Sequence, residues 1–224
     1  KDRNLAVLSF ASGAPRAGEM GLKDADGETG MGGGTIWARG PQLDYVSPYE
    51  QSITAAHTAC CDGDVSALEK ALEADPSLLD KERMDGTTPL MLAARTSLEA
   101  DSSKGKLACV KMLLEKGANV NERDHHGDSA LTLACMSELP GSTKACGVVK
   151  MLLNAKADAT FQERNFQMTA VHWAAQGGKV GVLKELMQSK DFKMIKTMKD
   201  RDGKTAKVLA QAAKQNADAA AALL

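Results

Sequence analysis

The sequence DGTTPLMLAA at residues 85–94 decides the fold, because it combines a turn, a helix cap and a narrow apolar helix face. Gly86 suits a tight turn, Thr88 can cap a helix with its hydroxyl, and Pro89 fits the first helical position, where its missing N–H would have no partner. Leucines and a pair of alanines follow. We therefore predict a short helix that a second backbone can approach closely.

The same pattern returns along the chain. Further copies are found at residues 126–135 (HGDSALTLAC), 167–175 (QMTAVHWAA) and 202–210 (DGKTAKVLA), with a reduced copy at 56–60 (AHTAC). A second apolar run follows four of the copies, at residues 68–72 (LEKAL), 109–114 (CVKMLL), 148–153 (VVKMLL) and 182–187 (VLKELM). Each unit is therefore predicted to be a pair of helices.

These units resemble the ankyrin repeat, which has a period of about 33 residues and the signature Thr-Pro-Leu-His-x-Ala. The resemblance covers roughly residues 48–224 and implies an all-α solenoid of stacked helix-turn-helix units with finger loops. Five repeats are expected, near residues 50–83, 84–124, 125–164, 165–200 and 201–224. The position of the signature histidine is occupied by His57, Met91, Thr132, His172 and Val208, with spacings of 34, 41, 40 and 36.

All four spacings exceed the family period, so each gap carries extra residues. In the second repeat the excess is expected between the helices, at residues 95–108, and the third repeat has a similar excess at residues 138–146. Two interpretations stay open. The extra residues form solvated loops, which exposed turns tolerate, or they form a contact ridge shared by two neighbouring repeats.

A single helix pair cannot bury enough surface to fold, so the repeats need a common apolar seam. The second helices supply it with Val110, Leu113, Leu114, Val149, Leu152, Leu153, Leu183, Leu186 and Met187. The first helix of the first repeat is expected from about residue 50 to 61. Gly117 should end the second repeat with a positive φ, and Lys156 takes that place one repeat later, at a cost of about 1 kcal/mol.

Residues 1–47 differ from the rest, because they hold nine of the chain's twenty glycines. Glycine loses the most backbone freedom on ordering, so this segment is predicted to be an extended arm with little regular structure. Its apolar residues lie at 5–10 (LAVLSF) and 35–37 (TIW). Either the arm lies along its own solenoid, or a partner protein in a large assembly holds it. Predicted partner-binding residues of the arm are Leu5, Val7, Phe10 and Trp37.

Composition and charge exclude several classes of function. A formal net charge of −1 provides no field that would attract nucleic acid, so no nucleic-acid partner is expected. No run of about 18 apolar residues exists, so no membrane span is expected. Five cysteines do not form a disulfide framework, which favours an intracellular, reducing compartment.

The first residue is Lys1 instead of methionine. A trimmed chain, missing upstream residues and a processed organellar precursor are all compatible with this start. A processed precursor would extend the expected location from the cytoplasm to the interior of a plastid or a mitochondrion.

Candidate chemical groups are better explained by the scaffold. His125 and His126 are adjacent at a predicted finger tip, where their side chains point apart, whereas a metal needs three or four converging ligands. Cys60 and Cys135 occupy positions where the ankyrin repeat has small residues, so they are interpreted as buried thiols in place of alanine. His57 and Cys60 lie one turn apart in a packed helix, which argues against a catalytic Cys–His pair. We find no acid–base pair or phosphate-binding loop, and we expect no enzyme activity, no cofactor and no metal.

What remains is recognition of another protein. The resemblance implies that the fingers and the first helices form a concave binding surface, for which the predicted partner-binding residues are Met84, Asp85, Arg95, His125, His126, Met136, Asn165, Phe166, Gln176 and Arg201. Met84 and Phe166 are the expected apolar contacts, because methionine and aromatic side chains are favoured at interface cores. Alternatively, Phe166 packs against its neighbouring finger.

Two functions are compatible with these features of the sequence. The first is a non-catalytic protein-interaction scaffold, or a structural or linker subunit of a larger complex, that binds through the concave face and the arm. The second is the ankyrin domain of a longer multidomain protein, an enzyme or a channel, whose active part lies outside this sequence. Acidic and basic finger tips alternate, which argues against a uniform polyanion as the partner.

Overall fold

The computed structural model describes residues 48–95, 102–136, 143–213 and 217–224. These residues belong to one compact unit, Tyr45–Leu224. The glycine-rich segment 1–47 lies outside the described residues, and with it the predicted contacts Leu5, Val7, Phe10 and Trp37.

The described ranges are helical and contain no strand beyond an isolated bridge between Lys199 and Thr205. The helices are α1 (Pro48–Gln51), α2 (Ala55–Asp62), α3 (Val65–Ala74), α4 (Pro89–Ala94), α5 (Ser102–Glu115), α6 (Ala130–Met136), α7 (Thr143–Asn154), α8 (Ala170–Gln176), α9 (Val180–Leu186), α10 (Phe192–Ile195), α11 (Ala206–Ala212) and α12 (Ala217–Leu223). A 3₁₀ helix, Pro76–Asp80, follows α3.

The helices form five pairs, which stack in the order of the chain. The first helices α2, α4, α6, α8 and α11 each contact the next first helix. The second helices α3, α5, α7, α9 and α12 do the same. The predicted all-α repeat fold is therefore confirmed, with a layer of first helices and a layer of second helices.

The predicted register of the repeats is correct. Every first helix begins directly after a threonine or serine, namely Thr54, Thr88, Ser129, Thr169 and Thr205, and the residue three positions later is the one assigned to the signature histidine. Thr88 acts as predicted, because its hydroxyl accepts a hydrogen bond from the Met91 N–H at 3.4 Å. Four of the five assigned side chains are buried, whereas Val208 in the last repeat is 47% exposed.

The prediction of one first helix from about residue 50 to 61 was wrong. The chain forms two helices, α1 and α2, with a break before Thr54. Thr54 and His57 form a capping box, in which the His57 ring lies 3.2 Å from the Thr54 N–H and 2.8 Å from its hydroxyl. This pair fixes the start of α2, because Thr54 must take an extended backbone (ψ 167°) to cap it.

The extra residues of the second and third repeats are less loop-like than predicted. Helix α5 begins at Ser102, seven residues before the apolar run at 109–114, and α7 begins at Thr143. Part of each excess thus lengthens a second helix. Residues 96–101 and 137–142 lie outside the described ranges. The choice between a solvated loop and a contact ridge stays a prediction.

The apolar seam follows the second helices. Val110, Leu113, Val149, Leu152, Leu183 and Leu186 are at most 1% exposed, and Leu114 and Leu153 pack against them half-buried. Burial of each such side chain contributes about 1.5–3 kcal/mol. Met187 does not belong to the seam. It is 40% exposed, because α9 ends at Leu186 and Met187 is its C-cap residue.

Two predicted helix ends have the expected backbone. Gly117 has a φ of 87° and Lys156 a φ of 66°. Lys156 thus adopts the left-handed region that favours glycine. Within the described ranges, no helix has both the length and the apolar character that a membrane span requires.

Candidate protein-binding surface

Four fingers connect the five helix pairs, and each is a hairpin closed by the same backbone hydrogen bond. The N–H groups of Arg83, Asp124, Glu163 and Asp200 donate to the carbonyls of Thr87, Asp128, Met168 and Lys204, at distances between 2.9 and 3.1 Å. The donor and acceptor are four residues apart in the first, second and fourth fingers. In the third finger, residues 163–168, they are five residues apart. The third finger therefore has one extra residue.

Carboxylates inside the fingers hold the turns. In the second finger, Asp124 Oδ1 accepts the N–H groups of His126 and Asp128, both at 2.9 Å. In the third finger, Glu163 accepts three N–H groups at 2.6–3.1 Å, including that of Phe166. A carboxylate fixes several backbone donors strongly, and the longer glutamate spans the extra residue.

Backbone hydrogen bonds also join each finger to the next. The N–H of His125 donates to the Asp85 carbonyl at 2.9 Å, that of Arg164 to His126 at 2.8 Å, and that of Arg201 to Phe166 at 2.8 Å. We call the connected tips, residues 84–85, 125–126, 165–166 and 201–202, the finger row. The structure therefore brings together seven of the predicted site residues: Met84, Asp85, His125, His126, Asn165, Phe166 and Arg201.

Met84 and Phe166 are the most exposed large apolar side chains of the finger row, at 55% and 57%. The Met84 N–H is held by the Ser52 hydroxyl at 3.2 Å. The Phe166 ring lies edge-on to Trp173, with 6.2 Å between the ring centroids and 86° between the planes. Phe166 thus packs against helix α8 of its own repeat while more than half of its surface stays exposed.

The other predicted contacts form a separate group. Arg95 directly follows α4, Met136 is the last residue of α6, and Gln176 is the last residue of α8. Helices α4, α6 and α8 have six or seven residues, which places this group about 10 Å from the helix starts where the fingers attach. Arg95 and Gln176 are exposed and Met136 is half-buried. These three residues can extend a contact surface beyond the finger row.

Two buried histidines connect first helices to the fingers. His172 Nδ1 lies 2.8 Å from the Thr169 hydroxyl, and Nε2 lies 3.1 Å from the Met198 carbonyl in the segment that leads into the last finger. His57 Nε2 lies 3.2 Å from the Thr87 carbonyl in the first finger. Both side chains are at most 1% exposed, and burial lowers the pKa of each below 6.5. Each histidine thus fixes a finger to the helix before it.

Comparison with known proteins agrees with this geometry. The family model described as ankyrin repeats (3 copies) matches residues 56–158 and 141–224. The chain belongs to the ankyrin repeat family. Ankyrin repeats are protein–protein interaction modules, and the family is generally non-catalytic.

Three relatives illustrate the range of ankyrin proteins that resemble this chain. It is 35% identical over 149 residues to a "Probable E3 ubiquitin-protein ligase XBOS33" of Oryza sativa subsp. japonica. The aligned residues cover 66% of this chain and 25% of the relative. It is 38% identical over 117 residues to "Ankyrin repeat domain-containing protein 63" of Mus musculus. This match covers 51% of this chain and 27% of the relative. It is 27% identical over 161 residues to "Inversin" of Mus musculus. This match covers 59% of this chain and 14% of the relative. The chain thus spans about a quarter or less of the length of these relatives.

The buried histidines make the stability of the ankyrin repeats depend on pH. Because the folded-state pKa of His172 is lowered, the unfolded chain binds its proton more readily, and stability is lost as the pH falls below about 6.5. We expect His172→Gln to be less stable than the parent at about pH 7.5, by about 1–3 kcal/mol, because it loses a buried hydrogen bond. The difference should shrink towards about pH 5.5, as protonation removes the advantage of the histidine.

Urea unfolding of both proteins across this pH range measures that difference. His125→Gln is the matched control, because it changes an exposed histidine in the same way. Its urea midpoint at about pH 7.5 should stay close to that of the parent, because no buried hydrogen bond is lost. A His172→Gln difference that stays constant from about pH 7.5 to 5.5 would contradict the assignment of His172 as a buried neutral histidine.

Two of the five cysteines, Cys60 and Cys135, have a structural role. Cys60 and Cys135 are fully buried, as predicted for thiols in place of alanine. Burial raises the pKa of Cys135 to about 12, so its thiol is protonated and a poor nucleophile. Among the described residues, no three His, Cys, Asp or Glu side chains are arranged to hold a metal ion. His125 and His126 are exposed at the finger tips.

Sequence reasoning missed three features of the fingers. The Arg83 guanidinium lies 4.5 Å from the Tyr49 ring centroid, and that of Arg123 lies 4.9 Å from the Phe161 ring centroid. The third is Asp128, a buried carboxylate in the second finger. A signal for Asp128 existed, because the other copies carry Thr87, Met168 or Lys204 directly before the helix cap.

Proposed function

We propose that this ankyrin domain is a non-catalytic scaffold that binds another protein through the finger row. The observation that carries the proposal is the exposure of Met84 and Phe166 on a set of tips fixed by backbone hydrogen bonds. Large apolar side chains on a rigid support bind with a small entropy cost, because little has to be ordered on association. Arg95, Met136 and Gln176 widen the same surface.

We further propose that the partner belongs to a larger complex and that residues 1–47 contribute to its binding. The support for this is the sequence of the segment, whose apolar side chains include Leu5, Val7, Phe10 and Trp37. The net charge of −1 supports a protein as the partner. The five free cysteines support a reducing compartment, the cytoplasm or the interior of an organelle.

Capture of proteins from an extract of the source organism tests the scaffold proposal. The double variant Met84→Ala, Phe166→Ala should bind the captured partner about thirtyfold or more weakly, because interface hot spots lose about 2 kcal/mol or more on truncation to alanine. Met194→Ala is the matched control, because Met194 is 53% exposed on α10 and lies outside the finger row. Deletion of residues 1–44 tests the arm separately. Undiminished capture by both the double variant and the deletion would refute the proposal.

A multidomain protein is the second candidate. The observation that favours it is the length of the relatives, since this chain covers only 25% of the ligase relative and 14% of Inversin. In such a protein the ankyrin repeats would bring a partner to an active part elsewhere. The intact mass of the endogenous protein separates the candidates. A mass near 23.6 kDa supports the free scaffold, and a much larger mass supports the multidomain protein.

A further inference from the structure

The fold separates the charged residues of the fingers into an inner and an outer set. The inner set consists of Asp124, Glu163 and Asp200, the residues whose N–H groups close the second, third and fourth fingers. Asp124 and Glu163 are buried, and Asp200 Oδ1 accepts the N–H groups of Asp202 and Lys204 at 3.0 and 2.8 Å. The carboxylates of this set are therefore occupied by the backbone donors of their own turns.

The outer set consists of the residues that directly follow these carboxylates. They are His125, Arg164 and Arg201, and all three are exposed. Within the described ranges, neither arginine lies within ion-pair distance of a carboxylate. The Arg201 guanidinium donates one N–H to the Asn165 carbonyl at 3.2 Å. A guanidinium has five N–H donors, so both arginines keep donors that the fold does not use.

Another arginine of the fingers has a structural role and provides a contrast. The Arg123 guanidinium donates to the Gly127 carbonyl at 3.0 Å and to the Gln162 carbonyl at 2.7 Å. It therefore holds the second finger to the third. Arg164 and Arg201 make no comparable pair of contacts among the described residues. Charges of both signs alternate along the sequence of the fingers, but the fold leaves these two cations on the outside.

An exposed aromatic ring lies next to the two arginines. Phe166 is two residues after Arg164 in the third finger, and its carbonyl accepts the Arg201 N–H at 2.8 Å. The Phe166 side chain is 57% exposed. The exposed carboxylate of Asp202 is paired with Lys204 at 3.1 Å, which leaves the arginines available to another acceptor. The third and fourth fingers thus present two cationic donors beside an apolar surface.

We propose that Arg164 and Arg201 bind an acidic segment of the partner protein. Its aspartate or glutamate side chains pair with the two guanidinium groups, while a neighbouring apolar side chain packs on Phe166. This inference rests on the proposed binding function and adds the chemistry of the partner. A nucleic acid fits less well, because the four fingers contain cations and anions in similar numbers and provide no extended positive field.

Selection from a random peptide library displayed on phage, with the full chain as bait, tests the proposal. Peptides selected by the parent should contain more aspartate and glutamate than the input library. The variant Arg164→Glu, Arg201→Glu should select peptides rich in lysine and arginine instead. A synthetic acidic peptide from the parent pool should bind Arg164→Gln, Arg201→Gln about tenfold more weakly. Its affinity should also depend less on salt for this variant, because fewer charges meet at the interface.

Two controls separate a lost contact from a damaged fold. Lys184→Gln removes an exposed cation from α9, outside the finger row, and should bind the peptide as tightly as the parent. Replacing the acidic residues of the peptide by asparagine or glutamine should remove the difference between the parent and Arg164→Gln, Arg201→Gln. The glutamine double variant should unfold close to the urea concentration of the parent, because both side chains are exposed.

The outcomes distinguish this inference from the proposed function. A pool without enriched acidic residues, or a peptide that binds the glutamine double variant as tightly as the parent, would overturn the role of the arginines. If such peptides still lose binding on Met84→Ala, Phe166→Ala, the finger row remains the binding surface. Loss of binding on the glutamine double variant alone would support the arginines and refute the apolar contacts.

Two further results would count against the inference. Peptides that bind both double variants undiminished, or a failure to select any peptide above background, would overturn both proposals. Polyuridine RNA is the probe for a nucleic-acid partner and should bind the parent about tenfold or more weakly than the acidic peptide. RNA that binds more tightly than the peptide, and is lost on the glutamine double variant, would assign the arginines to nucleic acid and overturn the inference.

Discussion

Leu152→Asp is expected to unfold the middle of the ankyrin stack. Leu152 is fully buried on α7, which packs between α5 and α9. Loss of a buried leucine side chain costs about 2–5 kcal/mol, and an uncompensated buried charge adds about 3–5 kcal/mol. The sum approaches or exceeds the whole stability of a typical domain, about 5–15 kcal/mol. Most of the helical circular dichroism should be lost without denaturant.

We expect the third repeat to unfold before the rest of the stack. Each repeat contacts only its neighbours, so an unfolded third repeat separates the first two repeats from the last two. Limited proteolysis should therefore cut Leu152→Asp within residues 143–154 much faster than the parent. The control Asn154→Asp introduces the same charge at an exposed position two residues further along α7. Its stability should stay within about 0.5 kcal/mol of the parent. A urea midpoint of Leu152→Asp equal to that of the parent would mean that α7 does not face its neighbours.

The register of the repeats could be predicted because its signals are local. A threonine or serine cap, a turn residue before it and small apolar residues after it act within one helical turn, as Thr88 and Pro89 show. The same locality allowed Gly117 and Lys156 to be recognised as helix ends from their positions alone. The apolar pattern of the second helices also predicted the buried seam residues correctly, except for Met187. Helix α9 ends at Leu186, one residue before the apolar pattern ends.

The missed features depend on contacts between segments that are distant in the chain. The α1–α2 break requires His57 to turn back to Thr54 and also reach Thr87, thirty residues further on. The finger tips lie next to one another, because the position of each tip follows from the register. The unpaired state of Asp128 could not be predicted, since the absence of a partner depends on every neighbouring side chain in the folded finger.

Gly105→Ala is expected to destabilise the protein, although alanine favours helices. Inside a helix, alanine is usually more stable than glycine by about 0.5–1 kcal/mol. Gly105 lies in the extended first turn of α5, where a β-carbon would overlap the Gly63 carbonyl oxygen and lie 2.8 Å from its carbonyl carbon. Gly63 cannot move freely, because it caps α2 with a φ of 74° and donates its N–H to the Ala59 carbonyl. Overpacking against backbone costs about 1–3 kcal/mol or more, which outweighs the gain in helix propensity.

Gly147→Ala is the matched control for this change. Gly147 lies inside α7, and a β-carbon there would meet only the Leu107 side chain at 3.4 Å. The corresponding position of α5 already carries Ala108. Urea unfolding should therefore show Gly147→Ala at or above the parent midpoint and Gly105→Ala well below it. The decisive result is that the two stability changes have opposite signs, because helix propensity alone predicts that both variants are more stable than the parent. A gain for Gly105→Ala would mean that α5 does not approach the end of α2, and the extra residues of the second repeat would then have to be a loop.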